Sequence, residues 1–124
     1  MHDILKQWAE AQNSGDPERV TSLYAEHATL LPTLWPVLCT TPSAIDDYFR
    51  NRLQQLCVRV EIDEDTVVVE SLTETLDLIS GLYTFSFDTD AGRGFVPARF
   101  SFVVDRSLER PILHHHSSAV PQSA

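Results

Sequence analysis

The chain has 124 residues, 43% of them apolar and 22% charged, with a formal net charge of −9. That length supports one domain with a core that needs no staples. The acidic balance, with its scattered Lys and Arg, excludes nucleic acid and anionic membranes as partners, and no apolar run approaches the roughly 20 residues of a membrane span.

In chain order, Asp3 is positioned to cap a first helix carrying Ile4, Leu5, Trp8 and Ala11, and Gly15 stops it. Asp16-Pro17-Glu18 starts a second helix as cap, first-turn proline and favourable acid, with Val20, Leu23 and Tyr24 as its stripe. Ala28 to Leu31 is a short apolar segment ending at Pro32. Residues 32–41 read as a loop carrying Leu34 and Trp35 as lid or partner contact. Thr41-Pro42 opens a third helix whose Ile45, Tyr48, Phe49, Leu53 and Leu56 form a core stripe.

The period then changes to two. Val58, Val60 and Ile62 alternate with Arg59, Glu61 and Asp63, and Thr66 to Thr75 reads as a separate second strand. Leu78 to Asp88 is a third, with Tyr83, Phe85 and Phe87 on one face and Leu82, Thr84 and Ser86 on the other. Phe95 to Val104 is a fourth, with Phe100, Phe102 and Val104 opposing Ser101 and Val103. Ile112 to Ser118 is the last. The pattern predicts an α+β domain over residues 1–121, a curved antiparallel sheet packed against three N-terminal helices, with a disordered tail at 122–124. Met1-His2-Asp3 is no signal peptide, which points to the cytoplasm. Cys39 and Cys57 lack CxxC spacing and read as buried thiols.

Strand alternation places His114 and His116 on one face of the last strand and His115 and Ser117 on the other. A histidine pair facing inward suggests a lined cavity; satisfied structural histidines and the remnant of a purification tag are the plainer readings. A one-residue slip in register exchanges the two sets.

Several pieces together resemble the nuclear transport factor 2-like, or SnoaL-like, cone fold. They resemble more closely the association domain of calcium/calmodulin-dependent protein kinase II and its stand-alone bacterial relatives. These pieces are Ser14-Gly15-Asp16, Leu31-Pro32-Thr33-Leu34, Thr40-Thr41-Pro42, Gly81-Leu82-Tyr83-Thr84-Phe85, Ala98-Arg99-Phe100-Ser101-Phe102 and His114-His115-His116-Ser117-Ser118-Ala119-Val120-Pro121. The resemblance implies a pocket between a long helix and the inner face of the sheet, and assembly through the outer face. The kinase hub's pocket carries several arginines. Arg99 matches one, whereas Phe85 and Ser117 stand where others would be.

An inward Arg99 needs an acid, because an unpaired buried guanidinium is costly. The acid is either Glu10, Asp46 or Asp47 of a helix, or a bound carboxylate gripped by Arg99. The ligand reading assigns Arg99, His114, His116, Tyr83, Phe85 and Trp8 to a pocket for a small acidic or aromatic molecule. The enzymatic alternative is a cofactor-free isomerase, dehydratase or cyclase with His114 or His116 as base and Tyr24, Tyr48 or Tyr83 as acid. A metal held by His114, His116 and Asp88 or Asp105 lacks ligands for a usual zinc site. Neither metal nor cofactor is expected. The long strands carry apolar or β-branched residues on both faces, so one face is left for a second copy. The expected partner is the chain itself, as a homodimer through the outer face or a larger ring.

Overall fold

The computed structural model describes residues 1–51 and 53–122 in full and the backbone of Arg52. Helix α1 (Asp3–Asn13) lays Ile4, Leu5, Trp8 and Ala11 into the core. Its cap is His2 rather than Asp3: the His2 Nδ1 accepts from the Ile4 N–H at 3.1 Å, and its Nε2 lies 2.8 Å from Asp77 Oδ2. The helix ends at Ser14, after which Gly15 takes φ +76°, a conformation glycine adopts without a Cβ penalty. Asp16 caps α2 (Pro17–Thr21) and Thr41 caps α3 (Pro42–Asp47), each followed by its proline. From Tyr48 to Leu53 the third helix continues as π-helix, turning Tyr48, Phe49 and Leu53 toward Ile45 in the core.

The second helix is shorter than its stripe suggested. Tyr24 opens strand β1 (Tyr24–Leu31), because the sheet captures this segment: the Ile112 N–H donates to Leu23 O at 2.9 Å and Tyr24 aligns with Ile112. The other strands are β2 (Arg59–Ser71), β3 (Leu76–Thr89), β4 (Gly92–Asp105) and β5 (Ile112–Ala119). Among the described residues they form one sheet in the order β1-β5-β4-β3-β2. The β1–β5 pair is parallel, so the sheet is mixed rather than wholly antiparallel.

The two strands expected between 58 and 75 are one. The register shifts between Asp63 and Val68 without breaking the strand. Thr66 spans the gap: its hydroxyl donates to Asp63 O at 2.7 Å and accepts from the Leu82 N–H at 2.9 Å. Glu64 and Asp65, which separate the two expected strands, belong to a bulge in the fold.

The inner face of the sheet carries Val60, Ile79, Tyr83, Phe85, Ala98, Phe100, Phe102 and Val104, all buried. Gly81 sits among them because a Cβ there would meet Phe100 at 2.9 Å. The helices cover this face; on the outer face Leu82 is 41% exposed, Val68 64% and Phe95 66%. Cys39 is buried as expected. Cys57 is exposed at φ +51°, because it ends the turn after the third helix; both thiols are free. The expected disorder of the tail concerns Ser123 and Ala124, which lie outside the described residues, whereas Gln122 is placed as a bend.

Candidate functional site: a tyrosine-clamped histidine in the core

The histidine face is the reverse of the expectation, and one extra residue causes it. Along the β4–β5 ladder Ile112 aligns with Val104, but His114 aligns with Val103, its immediate neighbour. Leu113 is therefore bulged out, and every later residue of β5 changes side. His115 and Ser117 point inward, 2% and 4% exposed, while His114 is half-buried and His116 exposed on the outer face. As part of a paired strand with a buried His115, these histidines are no tag.

His115 lies flat against Phe102, ring centroids 3.9 Å apart, with Trp8 edge-on at 5.3 Å. Tyr24 Oη is 2.7 Å from its Nδ1 and Tyr83 Oη is 3.0 Å from its Nε2. The Trp8 indole N–H donates to Tyr24 Oη at 3.0 Å, and the Tyr83 hydroxyl donates to Ser117 Oγ at 2.6 Å. Ser117 in turn bonds the Thr33 hydroxyl.

The proton order follows from one fact: an indole N–H can only donate. Tyr24 must accept from Trp8, so its own hydrogen goes to His115 Nδ1. The remaining His115 proton sits on Nε2 and is donated to Tyr83, which donates to Ser117, which donates to Thr33. One direction runs through six groups, and each hydrogen from the Trp8 indole to the Ser117 hydroxyl has an acceptor.

This order needs a neutral imidazole and two protonated phenols. Burial supplies both. It lowers the His115 pKa well below its usual value, aided by the nearby His114 and His116, and raises those of Tyr24 and Tyr83 well above theirs. Both ring nitrogens are thereby engaged, and neither is free to take a proton from a substrate.

The void beside this cluster is about 10 Å³, touched by Trp8, Leu30, Phe85, His115 and Ser117. That is room for about one water. The interior is filled by its own side chains. A larger hollow of about 600 Å³ lies open to solvent between the 31–37 loop and the end of β5, bordered by Thr33, Trp35, His116 and Ser118. Trp35 stacks on Tyr48 at 6.0 Å, so it is half-buried rather than a free lid. Another hollow, of about 710 Å³, runs along β2 and has no histidine, tyrosine or cysteine in its lining.

Of the expected pocket residues, the fold brings Trp8, Tyr83 and Phe85 together on the inner face. Arg99, His114 and His116 are also neighbours, but on the outer face: Arg99 aligns with Ser118 on β5 and Leu82 on β3, and His116 with Ser101. Arg99 is exposed because its strand alternates about the buried Ala98 and Phe100. Its side chain has no ion pair or hydrogen bond among the described residues, and Asp46 pairs instead with Arg50 at 3.1 Å. His114 Nδ1 is 2.6 Å from the Thr29 hydroxyl. Asp88 and Asp105 lie at opposite ends of the β3–β4 pair, with Arg93 and Ser107 respectively, and no cluster of three metal-ligating side chains exists among the described residues. His115, Ser117 and Thr33 are absent from the expected site. The alternation of Tyr24, Ala28 and Leu30 was a usable signal for Tyr24 as an inward strand residue.

Among the described residues, no helix is long and apolar enough to cross a membrane. The family model for the calcium/calmodulin dependent protein kinase II association domain matches residues 1–121. A solved association-domain protein of this kind from Xanthomonas campestris is 29% identical, with a TM-score of 0.85, covering 96% of this chain and 84% of that one. The S. rosetta CaMKII hub is 17% identical, with a TM-score of 0.73 over 95% of this chain and 92% of that one. An epoxide hydrolase/cyclase-like enzyme, SalBIII of polyether salinomycin formation, is 15% identical, with a TM-score of 0.72 over 95% and 88%; that likeness is one of fold. No curated protein matches the chain.

Proposed function

Because the chain belongs to the calcium/calmodulin dependent protein kinase II association domain family, we propose that it is a self-association module that dimerises through the outer face of its sheet. The observation that carries this reading is the uncovered face itself. Leu82 stands near its middle, 41% exposed, between Asp63 on β2 and Arg99 on β4, while all helices lie on the opposite side. Leu78, Val103 and Thr84 share that face with small serines. A sheet face of this kind is covered most economically by a second copy. The closed interior agrees with this reading. A pocket for a small carboxylate is no part of it, since Arg99 is on the outside, and catalysis by a core histidine is no part of it, since His115 has no free ring nitrogen.

Sedimentation velocity across a dilution series tests the proposal. The expected species at micromolar concentration is a dimer or a larger ring. Leu82→Glu, which alters an exposed side chain and leaves the core intact, is expected to give monomer with an unchanged far-UV spectrum. A wild-type chain that sediments as monomer at all concentrations overturns it.

A further inference from the structure

The outer face has a polarity that the dimer reading does not use. Its β2 side carries Glu61, Asp63 and Glu70 with Arg59 at one end, and its β4–β5 side carries Arg99, His114 and His116 with Asp105 at the far end. The Asp63 carboxylate and the Arg99 guanidinium flank Leu82 on either side, and neither makes a hydrogen bond or ion pair among the described residues. Strands stand about 4.8 Å apart, so about 10 Å of sheet separates them. Both are exposed, and both would lose water on burial at an interface, which neither tolerates unpaired.

A two-fold axis lying between two stacked sheets has two aligned settings. With the axis across the strands at the level of Leu82, each strand faces its own copy and Asp63, Leu82 and Arg99 lie on the axis. Asp63 then meets the partner's Asp63, and Arg99 the partner's Arg99. With the axis along the strands, the sheet is reflected left to right, and β2 faces the opposite half of the partner. Like charges are separated only in the second setting. Running that axis along β3 sets Leu82 on the partner's Leu82 and Asp63 on the partner's Arg99. It also sets Arg59, aligned with Ser86, over the partner's Phe95, the residue on the other side of Ser86. Phe95 is 66% exposed, and a guanidinium over its ring is a favourable contact. Moving the axis half a strand toward β4 instead puts Arg99 on an apolar Leu82. Sheets stack about 10 Å apart, a gap that an arginine and an aspartate reaching toward each other span. The chain's net charge of −9 makes two copies repel, so pairing across the face matters more than it would in a neutral protein.

We infer that the dimer is a sheet-on-sheet pair with its two-fold axis along β3, and that reciprocal Asp63–Arg99 ion pairs between the two copies select that register. The inference rests on the self-association reading. Its test uses the full chain and two single charge reversals, Asp63→Arg and Arg99→Asp, with Glu10→Arg on the helical side as the control for net charge. Two-fold symmetry places each reversed pair twice, so each reversal is expected to weaken the homodimer about 100-fold, while Glu10→Arg leaves it within about twofold. An equimolar mixture of the two reversal variants has both pairs restored and is expected to form a heterodimer, identified by its mass in native mass spectrometry. If wild type dimerises and the reversals leave its dissociation constant unchanged, or weaken it without recovery in the mixture, this register is wrong and the self-association reading stands. A monomeric wild type removes both.

Discussion

Tyr83→Phe tests the directed hydrogen-bond chain in the core. The substitution deletes one oxygen and leaves the ring stacked on Phe100 and Trp8. It removes two bonds, the one accepted from His115 and the one donated to Ser117. The His115 Nε2–H is left buried with no acceptor. Switching tautomer does not help, because a proton on Nδ1 would then orphan the Tyr24 hydrogen, whose oxygen is already held by Trp8. Two lost bonds at about 1 kcal/mol each and one buried orphan donor at about 1–3 kcal/mol give a cost of about 3–5 kcal/mol. Urea unfolding at fixed protein concentration measures it, with the midpoint expected to fall and the slope to hold. His115→Phe also creates one orphan, on Tyr24. The double variant still has one. Its cost is expected to fall short of the sum by about 2–4 kcal/mol, the His115–Tyr83 bond that both single variants lose and one orphan. A Tyr83→Phe stability within about 0.5 kcal/mol of wild type, or strict additivity in the cycle, refutes the chain.

Three further outcomes follow from the same structure. The His115 pKa is lowered in the fold, so the unfolded chain binds more protons below its usual value of 6.5; stability is therefore full above about pH 6.5 and declines as pH falls toward the folded value, by up to about 1.4 kcal/mol per pH unit, and urea midpoints in graded buffers that stay flat through that window contradict a buried neutral ring. His2, then Arg106, depress the Asp77 carboxyl, so its contribution holds above the usual 3.8 and is lost as pH falls through the folded value; Asp77→Asn is expected to fray the start of α1, read as faster amide exchange at Ile4 to Lys6 with little change in the sheet. Gly81→Ala forces a Cβ to 2.9 Å from Phe100 and is expected to cost about 1–3 kcal/mol; a melting temperature equal to wild type shows that Phe100 yields freely.

The elements that read correctly are those whose signals are local. Asp16-Pro17 and Thr41-Pro42 carry their helix starts in adjacent residues, and the two faces of β3 follow from strict alternation around Tyr83, Phe85 and Phe87. The errors have non-local causes. Tyr24 continues a helical stripe in sequence, yet it belongs to a strand because β5, some ninety residues on, pairs with it. Thr66 closes a gap in β2 by bonding to β3, and nothing in the Asp63-Glu64-Asp65 run reveals that partner. His114, His116 and Arg99 were grouped correctly and assigned to the wrong side. Alternation from Ile112 gives their side only if no residue is extra, and the bulge at Leu113 depends on how β5 meets β4. The tyrosine clamp was legible as residue types, not as geometry: Tyr24 and Tyr83 were acid candidates, but the ring they hold was the one set aside.

The bulge at Leu113 has a consequence for how this strand tolerates change. Residues 114–118 spell two messages in alternating letters, His115 and Ser117 for the interior, His114, His116 and Ser118 for the exterior. Deleting Leu113 would leave Ile112 on Val104 and His114 on Val103 as successive pairs of a regular ladder, so both messages would keep their sides, whereas deleting His116 would turn Ser117 outward, out of reach of Tyr83. Point substitutions in this stretch each touch one message; an indel after His114 exchanges the sides of all that follows it. Length variation in the loop at 106–111, or loss of the bulged residue itself, leaves both faces in place, and the sensitive stretch begins after His114.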